Sequence, residues 1–512
     1  MLNTPDPDVT EAKINWVRDA IGTAVPSWVT EPDIRSIIKT VGTLDLLLED
    51  PETGGRGQKR EVERAANASI SAASEEKQVY NEAQLSISFL AQGAFNKLYT
   101  VKLDSAANEL PKGAIVTAQG AKSRTFVLRI SLPVDPIYKT LSEVATTKYI
   151  HEQTNIPVPE IYAYEWSTSL GLESPPSDDG PRSRRCNEIG FEWILMEYMP
   201  GHQLRHVWEG LKWQWKEKLV DDLAGWCLDM FKLRAGKIGN LYRKEDFDGL
   251  GRGQGVEILG EGEYVVDRIV SMSFFWDKRL QMEGLSRGPF ATAREWLQAR
   301  LYAAKTNSME QLLGADLDED DLEDLETLNK LIETLEGNLN EFFPTVGAED
   351  QDSYALTHDD ITFQNLLLNP ETGNVTAFLD WETVSFVPLF KATFFPHVLQ
   401  GRNHPDPRPD PEGYMKDEET GRPNLLYFEH LKEWEQTKLR ERFLKTMEGL
   451  TGGQEWLHVF RDVQQRKKRD FELAVQQCEA ENIFAYWGVM DWLERCKGLD
   501  DEYKSLWDIL HN

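Results

Sequence analysis

Hydrophobic and polar positions alternate along this chain in several distinct regimes. Between residues 10 and 48, Ile14, Val17 and Ile21, then Ile34, Ile37, Ile38 and Val41, recur at helical intervals and predict short amphipathic helices. Residues 49 to 78 carry almost no large apolar side chains, so they cannot bury enough surface to offset their ordering entropy and predict a linker. From 84 to 133 the pattern turns to β. LSISFLAQGAFNKLYTVKL reads as strand, glycine turn, strand, and AIVTAQG and TFVLRISLP add two more strand signals. PIYKTLSEVATTKYIHEQT reads as a helix stopped before Pro157 and Pro159, and FEWILMEYMPG, 191 to 201, as a buried strand.

Beyond Gly201 the periodicity is mainly helical. Leu219, Leu223, Trp226, Cys227, Met230 and Phe231 fall on one face of a helix. Leu322, Leu325, Leu328, Ile332, Leu335, Leu339 and Phe342 fall on one face of another. The acidic run DLDEDDLEDLE feeds into the second of these and reads as a helix N-terminus, where acids are favourable, rather than as a calcium loop. Residues 401 to 423, rich in Pro and Asp, predict a surface loop. Residues 427 to 512 predict further helices, with Phe484, Trp487, Met490 and Trp492 as core. The segments divide into a helical extension and linker over 1–83, a β-rich lobe over 84–200, a mainly helical lobe over 201–400 and a loop and helical extension over 401–512. A chain of 512 residues exceeds what one hydrophobic core usually holds, which agrees with two lobes.

Charge narrows the partners. With 86 acidic and 56 basic side chains the formal net charge is -30, a field that repels phosphate backbones and anionic lipid. Nucleic acid and membrane surface are therefore excluded as expected partners. An anionic substrate would need a local basic pocket or a metal, whereas a cationic or polyol small molecule approaches freely. Cys186, Cys227, Cys478 and Cys496 are far apart, with no paired spacing, and read as reduced thiols of a cytoplasmic protein. The N-terminus lacks the apolar core of a secretory signal, and no apolar run approaches a membrane span.

The densest chemistry lies in THDDITFQNLLLNPETGNVTAFLDWE, Thr357 to Glu382. A polar loop leads into LLLN, PETG and NVTAFLD, which read as strand, turn, strand. The hairpin returns Asp380 towards the strand end that carries Asn365, and Asp360 lies five residues before Asn365. Gathered carboxylates are costly unless a cation occupies their midst. Magnesium fits, because it takes few hard oxygen ligands from protein and completes its shell with water and phosphate.

His358-Asp359-Asp360 and Asn365, followed by Asp380-Trp381-Glu382, resemble the HGDxxxxN…DWE signature of aminoglycoside phosphotransferase and choline kinase-like enzymes. SLPVDPIYKTLSEVATTKYIHEQTNIPVPEIYAYE, YVVDRIVSMSFFW and RGPFATAREWLQARL resemble segments of fungal-type members, so the likeness covers roughly residues 84 to 400. It implies an α+β, bilobal protein-kinase-like fold with a small β-rich N-lobe and a large mainly helical C-lobe. It also implies an ATP- and Mg2+-dependent phosphotransferase acting on a hydroxyl of a small, cationic or polyol acceptor. Asp360 and His358 then match the catalytic loop: Asp360 orients the acceptor hydroxyl and takes its proton, and His358 braces the loop. Asn365 and Asp380 match the metal ligands. Gly93 matches the phosphate-covering turn, Arg129 the phosphate-binding lysine and Glu143 its helix partner. The backbones of Glu197 and Met199 match the segment that meets an adenine edge.

Two positions depart from the pattern. Asp359 stands where the signature has Gly, adding a charge beside Asp360, and Arg129 is a planar fork in place of a lysine. They motivate a second reading, a catalytically weak or inactive nucleotide-binding protein on the same fold. A third takes His358-Asp359 as the HD pair of a metal phosphohydrolase, with His397 and His404 as further ligands. The bland readings are a capped turn with solvated acids for Asp359 and Glu382, a surface ion pair for Arg129 and Glu143, a turn glycine for Gly93 and surface histidines for His202 and His206.

Overall fold

A computed structural model describes residues 13–18, 24–44, 85–105, 115–116, 122–167, 187–248, 256–257, 262–313, 317–344, 353–417, 420–496 and 503–511. The predicted linker, Ile21 and Cys186 lie outside these residues. The chain divides into two compact units, Met1–Thr140 with Pro159–Tyr198, and Leu141–Val158 with Met199–Asn512.

In the first unit, β1 (Ile14–Arg18) and β2 (Ala24–Trp28) pair antiparallel, with Ile14 opposite Trp28 and Arg18 opposite Ala24. This corrects the helix expected from Ile14 and Val17. Ile14, Val17 and Val25 are β-branched, Trp16 and Trp28 are aromatic, and Pro26 would interrupt a helix, so strand geometry wins over a three-residue spacing match. The helix expected next does form. α1 (Ile34–Gly42) is capped by Asp33, whose carboxylate accepts from the Arg35 and Ser36 N–H groups. It buries Ile37 and Val41, one turn apart, against Val101, Leu103, Phe126, Leu128 and Leu195. Burial of this kind contributes about 1.5–3 kcal/mol per side chain.

Those residues belong to a sheet of β3 (Leu85–Gln92), β4 (Asn96–Ser105), β5 (Ile115–Val116), β6 (Lys122–Ser131), β7 (Ile161–Glu165) and β8 (Glu192–Glu197). The spatial order is β3-β4-β6-β8-β7, with β5 beside β6. All neighbours are antiparallel, and β6 is central. The helix expected after TFVLRISLP is α2 (Tyr138–Gln153), which contributes its residues from 141 onward to the second unit.

The second unit is mainly helical, as its periodicity predicts. α3 (Trp213–Lys232) buries Leu219, Leu223, Met230 and Phe231. Two further helices are α4 (Ala293–Leu312) and α5 (Glu319–Phe342). The acidic run does cap α5: Asp318 accepts from the Asp321 N–H, and Glu319, Asp320 and Asp321 fill the first turn. The C-terminal helices are α6 (Leu425–Gly449), α7 (Gly453–Arg461), α8 (Val463–Glu479) and α9 (Tyr486–Arg495). The aromatic stripe expected as core is only partly so. Trp492 is fully buried, but Trp487 is 79% and Phe484 89% exposed. Trp487 and Trp492 are five residues apart, roughly 140° around a helix, so one cannot share the other's face, and Phe484 precedes α9.

This unit also contains sheet that helical periodicity did not announce. β9 (His202–Gln203), β10 (Arg234–Ala235), β11 (Gly239–Arg243), β12 (Val256–Glu257) and β13 (Tyr264–Asp267) are followed by β14 (Tyr354–Thr357), β15 (Leu366–Leu368), β16 (Val375–Phe378) and β17 (Ser385–Pro388). Six of them form one antiparallel sheet, β10-β14-β17-β11-β13-β12, and β16-β15-β9 form another. Among the described residues no helix is long and apolar enough to cross a membrane.

Candidate active site

The site is a loop strung between two strands and the hairpin behind it. β14 ends at Thr357, the polar loop runs from His358 to Asn365, and β15 and β16 follow as the predicted hairpin, with Leu366 opposite Phe378. Asn369 closes the turn, its side chain accepting from the Glu371 and Thr372 N–H groups. Gly373 in that turn has φ +68°, and an added Cβ would lie 2.3 Å from the Trp215 ring of α3. Only glycine satisfies both constraints.

Backbone bonds pin the loop from several sides. The Val398 N–H donates to the Ile361 carbonyl, the Arg205 N–H to Phe363, and the Thr362 N–H to Asp360. His358 is buried, stacked on Phe378 at 4.5 Å with its edge to Trp381 at 4.9 Å. Its Nδ1 accepts from the Asp360 N–H at 3.1 Å, and the backbone of Leu379 and Asp380 lies beside the ring and favours its protonated form. Burial pushes this histidine down to about 4, although Asp360 and, more weakly, Asp359 pull it up. A neutral ring that accepts at Nδ1 braces the loop. Among the described residues no group of three or more His, Cys, Asp or Glu could hold a metal, so the HD-pair reading lacks its ligand set there.

The structure ties Asn365 to Asp360 and sets the backbone of Asp380 beside that of Asn365. Asn365 Nδ2 donates to the Asp360 carboxylate at 2.7 Å and to its carbonyl at 2.9 Å. The Leu379 N–H donates to the Asn365 carbonyl at 2.8 Å, so the hairpin continues one pair beyond its last strand residues and delivers Asp380 next to Asn365. Asp380 has φ +67°, and Thr383 φ +63°. A left-handed backbone at two non-glycine positions three residues apart is strain of a kind that clusters at functional sites. Asn365 Nδ2 makes both bonds to Asp360, and among the described residues Oδ1 accepts none. An amide oxygen and a carboxylate are hard oxygen donors of the kind magnesium takes. Glu382 lies half-buried two residues beyond.

Sequence reasoning missed Lys391. It sits in a short helical turn, Leu389–Ala392, with Nζ 3.5 Å from the Asp359 carboxylate and 3.5 Å from Glu472 of α8. Burial alone would lower its pKa, yet Asp359 and Glu472 together raise it. Arg300 of α4 holds the same Glu472 at 2.6 Å and Glu479 at 2.6 Å. The signal in the sequence was a lone cation in an otherwise apolar run, VPLFKATFF. The cavity beside the loop, about 270 Å³, is walled by His358, Asp359, Lys391 and His397. Burial lowers the pKa of His397, with Asp359 opposing and Lys391 assisting. His404 instead turns to the Pro405 carbonyl at 2.8 Å. Asp359 itself is not in the left-handed region, so its Cβ costs the loop nothing.

The remaining candidates fall in both units. Gly93 lies in the β3–β4 turn, its N–H donating to the Asn96 carbonyl at 2.9 Å. Ser131 Oγ and Lys139 Nζ both donate to the Asn96 side chain, at 2.8 and 3.1 Å, which fixes the turn. Neither φ nor a neighbour requires glycine at 93, where an added Cβ would meet open space. Arg129 is buried in β6 between Leu98 and Ile194. Glu143 is buried in α2 and belongs to the second unit. Glu197 ends β8, and its N–H is spent on the Glu160 carbonyl at 2.8 Å, which removes that group from an adenine edge. Met199 follows, half-buried.

A family model described as the phosphotransferase enzyme family, APH, matches residues 114–390, more than half of the chain. The chain belongs to this family. A subtelomeric hrmA-associated cluster protein of Aspergillus fumigatus is 21% identical over 350 residues, 60% of this chain and 60% of that protein. The chain thus spans about three fifths of the length of the curated relatives it matches. Among solved structures, choline kinase from Cryptosporidium parvum is similar at 14% identity and a TM-score of 0.37, over 88% of this chain and 98% of that one. An aminoglycoside-3'-phosphotransferase of type VIII is similar at 14% identity and a TM-score of 0.33, over 83% and 100%. The family match agrees with the resemblance read from the signature, and the α+β class with its β-rich and mainly helical parts is the one expected.

Proposed function

We propose that the chain transfers the terminal phosphoryl group of ATP, with Mg2+, to a hydroxyl of a small molecule. The observation that carries this reading is the bonded chain Asp360–Asn365–Leu379, which leads directly into the strained Asp380. Asn365 Oδ1 and the Asp380 carboxylate would hold magnesium there, and the ion would supply charge neutralisation for the nucleotide phosphates. Asp360, exposed and tethered by the Asn365 amide, orients the acceptor hydroxyl and receives its proton. His358 keeps the Asp360 backbone in place through Nδ1 and touches neither substrate. Gly93, Arg129, Glu143 and the backbone of Glu197 and Met199 are the positions that the resemblance assigns to the nucleotide. A net charge of -30 favours a cationic or polyol acceptor.

The charge of Asp359, which motivates a non-catalytic nucleotide binder, has a counterion in Lys391, and this supports the catalytic reading. The test is a phosphate-transfer screen over polyols, amino alcohols and amino-sugars, with Asp360→Asn as control. That variant should lose transfer and keep most of the stabilisation by ATP. Thermal stabilisation by ATP without transfer to any acceptor would favour the binding protein instead.

A further inference from the structure

In a chain this acidic, arginines without acidic partners are unexpected, and several of them meet in one place. A cavity of about 310 Å³ lies among residues 394–403, the end of α7, the start of α8 and residues 505–508. Its walls include five arginines, at 402, 440, 461, 466 and 469, against two carboxylates, Asp470 and Asp508. Asp470 is committed inward, accepting from the Tyr503 hydroxyl and, at 3.1 Å, from the Leu506 N–H. Asp508 accepts from Ser505 Oγ at 2.7 Å.

The arginines are not equally occupied. Arg461 pairs with Glu448 at 2.6 Å. Arg440 donates to the Leu399 and Arg402 carbonyls and to Asn403 Oδ1. Arg402, Arg466 and Arg469 have no carboxylate within ion-pair distance among the described residues. Arg469 donates one bond, to the Thr393 carbonyl at 2.7 Å, and its guanidinium lies over Phe394 at 4.9 Å and Phe460 at 5.4 Å. Burial pushes this guanidinium down to about 10, with Asp470 opposing and the like charge of Arg466 assisting. Asp470 is the carboxylate whose charge acts on Arg469 and Arg466, one acid against two guanidiniums, and the excess of cations beside aromatic faces is stabilised by a bound anion. The guanidinium fork matches the paired oxygens of phosphate or carboxylate, and its weak hydration suits a partly apolar wall.

We propose that this cavity binds the oxyanion group of a small molecule, a phosphate or a carboxylate, between Arg402, Arg466 and Arg469. The site goes beyond the phosphotransfer reading and stands without it. It supplies the local basic pocket that an anionic ligand needs in a chain of charge -30. A volume of this size admits a metabolite, not a polymer. Arg469 and Trp507 are also walls of the cavity that reaches His358 and Asp359, so the two spaces adjoin within the second unit.

The test is calorimetric titration of the full chain with inorganic phosphate and, separately, with succinate, against potassium chloride at matched ionic strength. At least one anion should bind saturably at one per chain, and which one does so tells a phosphate ligand from a carboxylate ligand. Arg402→Gln combined with Arg466→Gln should weaken that binding at least tenfold. Arg469→Lys, which keeps charge but not the fork, should weaken it severalfold. Arg495→Gln, which removes an exposed arginine paired with Asp491 on α9, should leave it unchanged. Melting in chloride verifies that each variant folds. Binding of neither anion above the chloride baseline, or undiminished binding in the double variant, overturns the proposal.

Discussion

Lys391 stands 3.5 Å from the carboxylate of Asp359 and 3.5 Å from that of Glu472, and so joins the loop of the candidate site to α8. The extra acid beside Asp360 therefore comes with its own counterion. The two ends of this bridge are unequal. Asp359 is 55% exposed, so water screens its side, whereas Glu472 is 3% exposed and shares Arg300. Lys391→Met should destabilise the chain by roughly 2 kcal/mol, less than a wholly orphaned buried carboxylate because Arg300 remains. It should also weaken ATP binding by leaving Asp359 uncompensated. Asp359→Gly alone should change both little, and the double variant Asp359→Gly, Lys391→Met should recover the ATP affinity that the lysine variant loses. A double-mutant cycle on ATP affinity measures this, and additive losses would show that the pair is incidental.

Asp380 gives a sharper separation of conformation from charge. Its φ of +67° is a region that Asn visits readily and β-branched residues avoid. Asp380→Asn should keep the melting temperature of the free chain and lose the part of ATP stabilisation that depends on magnesium. Asp380→Val should lose stability as well, by roughly 1–3 kcal/mol. Thermal melts with magnesium-ATP and with ATP in EDTA provide the comparison. Full magnesium-dependent stabilisation in the Asn variant would remove Asp380 from the ligand set.

Much of this site was legible because its parts are close in sequence. Asp360 and Asn365 are five residues apart, and the short turn PETG forces β15 and β16 into a register that brings Asp380 to Asn365. Lys391 was not legible, because its second partner, Glu472, is more than 80 residues away and reaches it only through the packing of α8. The larger sheet of the second unit was hidden for the same reason. β10 is two residues long and pairs Arg234 with Ala355, so no local period announces it. At β1 and β2 the failure was different: a few apolar residues fit helix and strand periods equally, and β-branching decided.

Two glycines should respond oppositely to alanine. Gly373→Ala would place Cβ 2.3 Å from the Trp215 ring at a φ of +68°, so both backbone and ring must move. Left-handed strain and displacement of the ring together should cost roughly 3 kcal/mol, and the hairpin that carries Asp380 would shift with them. Gly93→Ala meets nothing within 4 Å and needs no unusual φ. Its stability should stay within about 0.5 kcal/mol of the parent, while KM for ATP rises if that open space is where phosphates lie. Denaturation midpoints and ATP kinetics of the two variants distinguish a structural glycine from a ligand-facing one, and an unchanged KM in Gly93→Ala would take the turn out of the nucleotide site.

Glu192 predicts a pH dependence of stability in the first unit. It is 2% exposed at the start of β8, and its carboxylate accepts from the Ile137 N–H at 2.6 Å. Burial pushes its pKa from 4.5 up to about 7, with Asp135 in the same direction and the Thr140 hydroxyl, the Ile137 N–H and Lys139 opposing. A folded-state value above the unfolded one means that the folded chain holds the proton more tightly. The resulting stabilisation is fully present below about pH 4.5 and is lost as pH rises through about 7. A shift of this size corresponds to roughly 3 kcal/mol. Glu192→Gln keeps an acceptor for Ile137 and cannot ionise, so it should gain on the parent by about that amount between pH 5 and pH 8. Urea midpoints at pH 5, 6, 7 and 8 measure the difference, and parallel profiles for the two chains would show that Glu192 stays charged when folded.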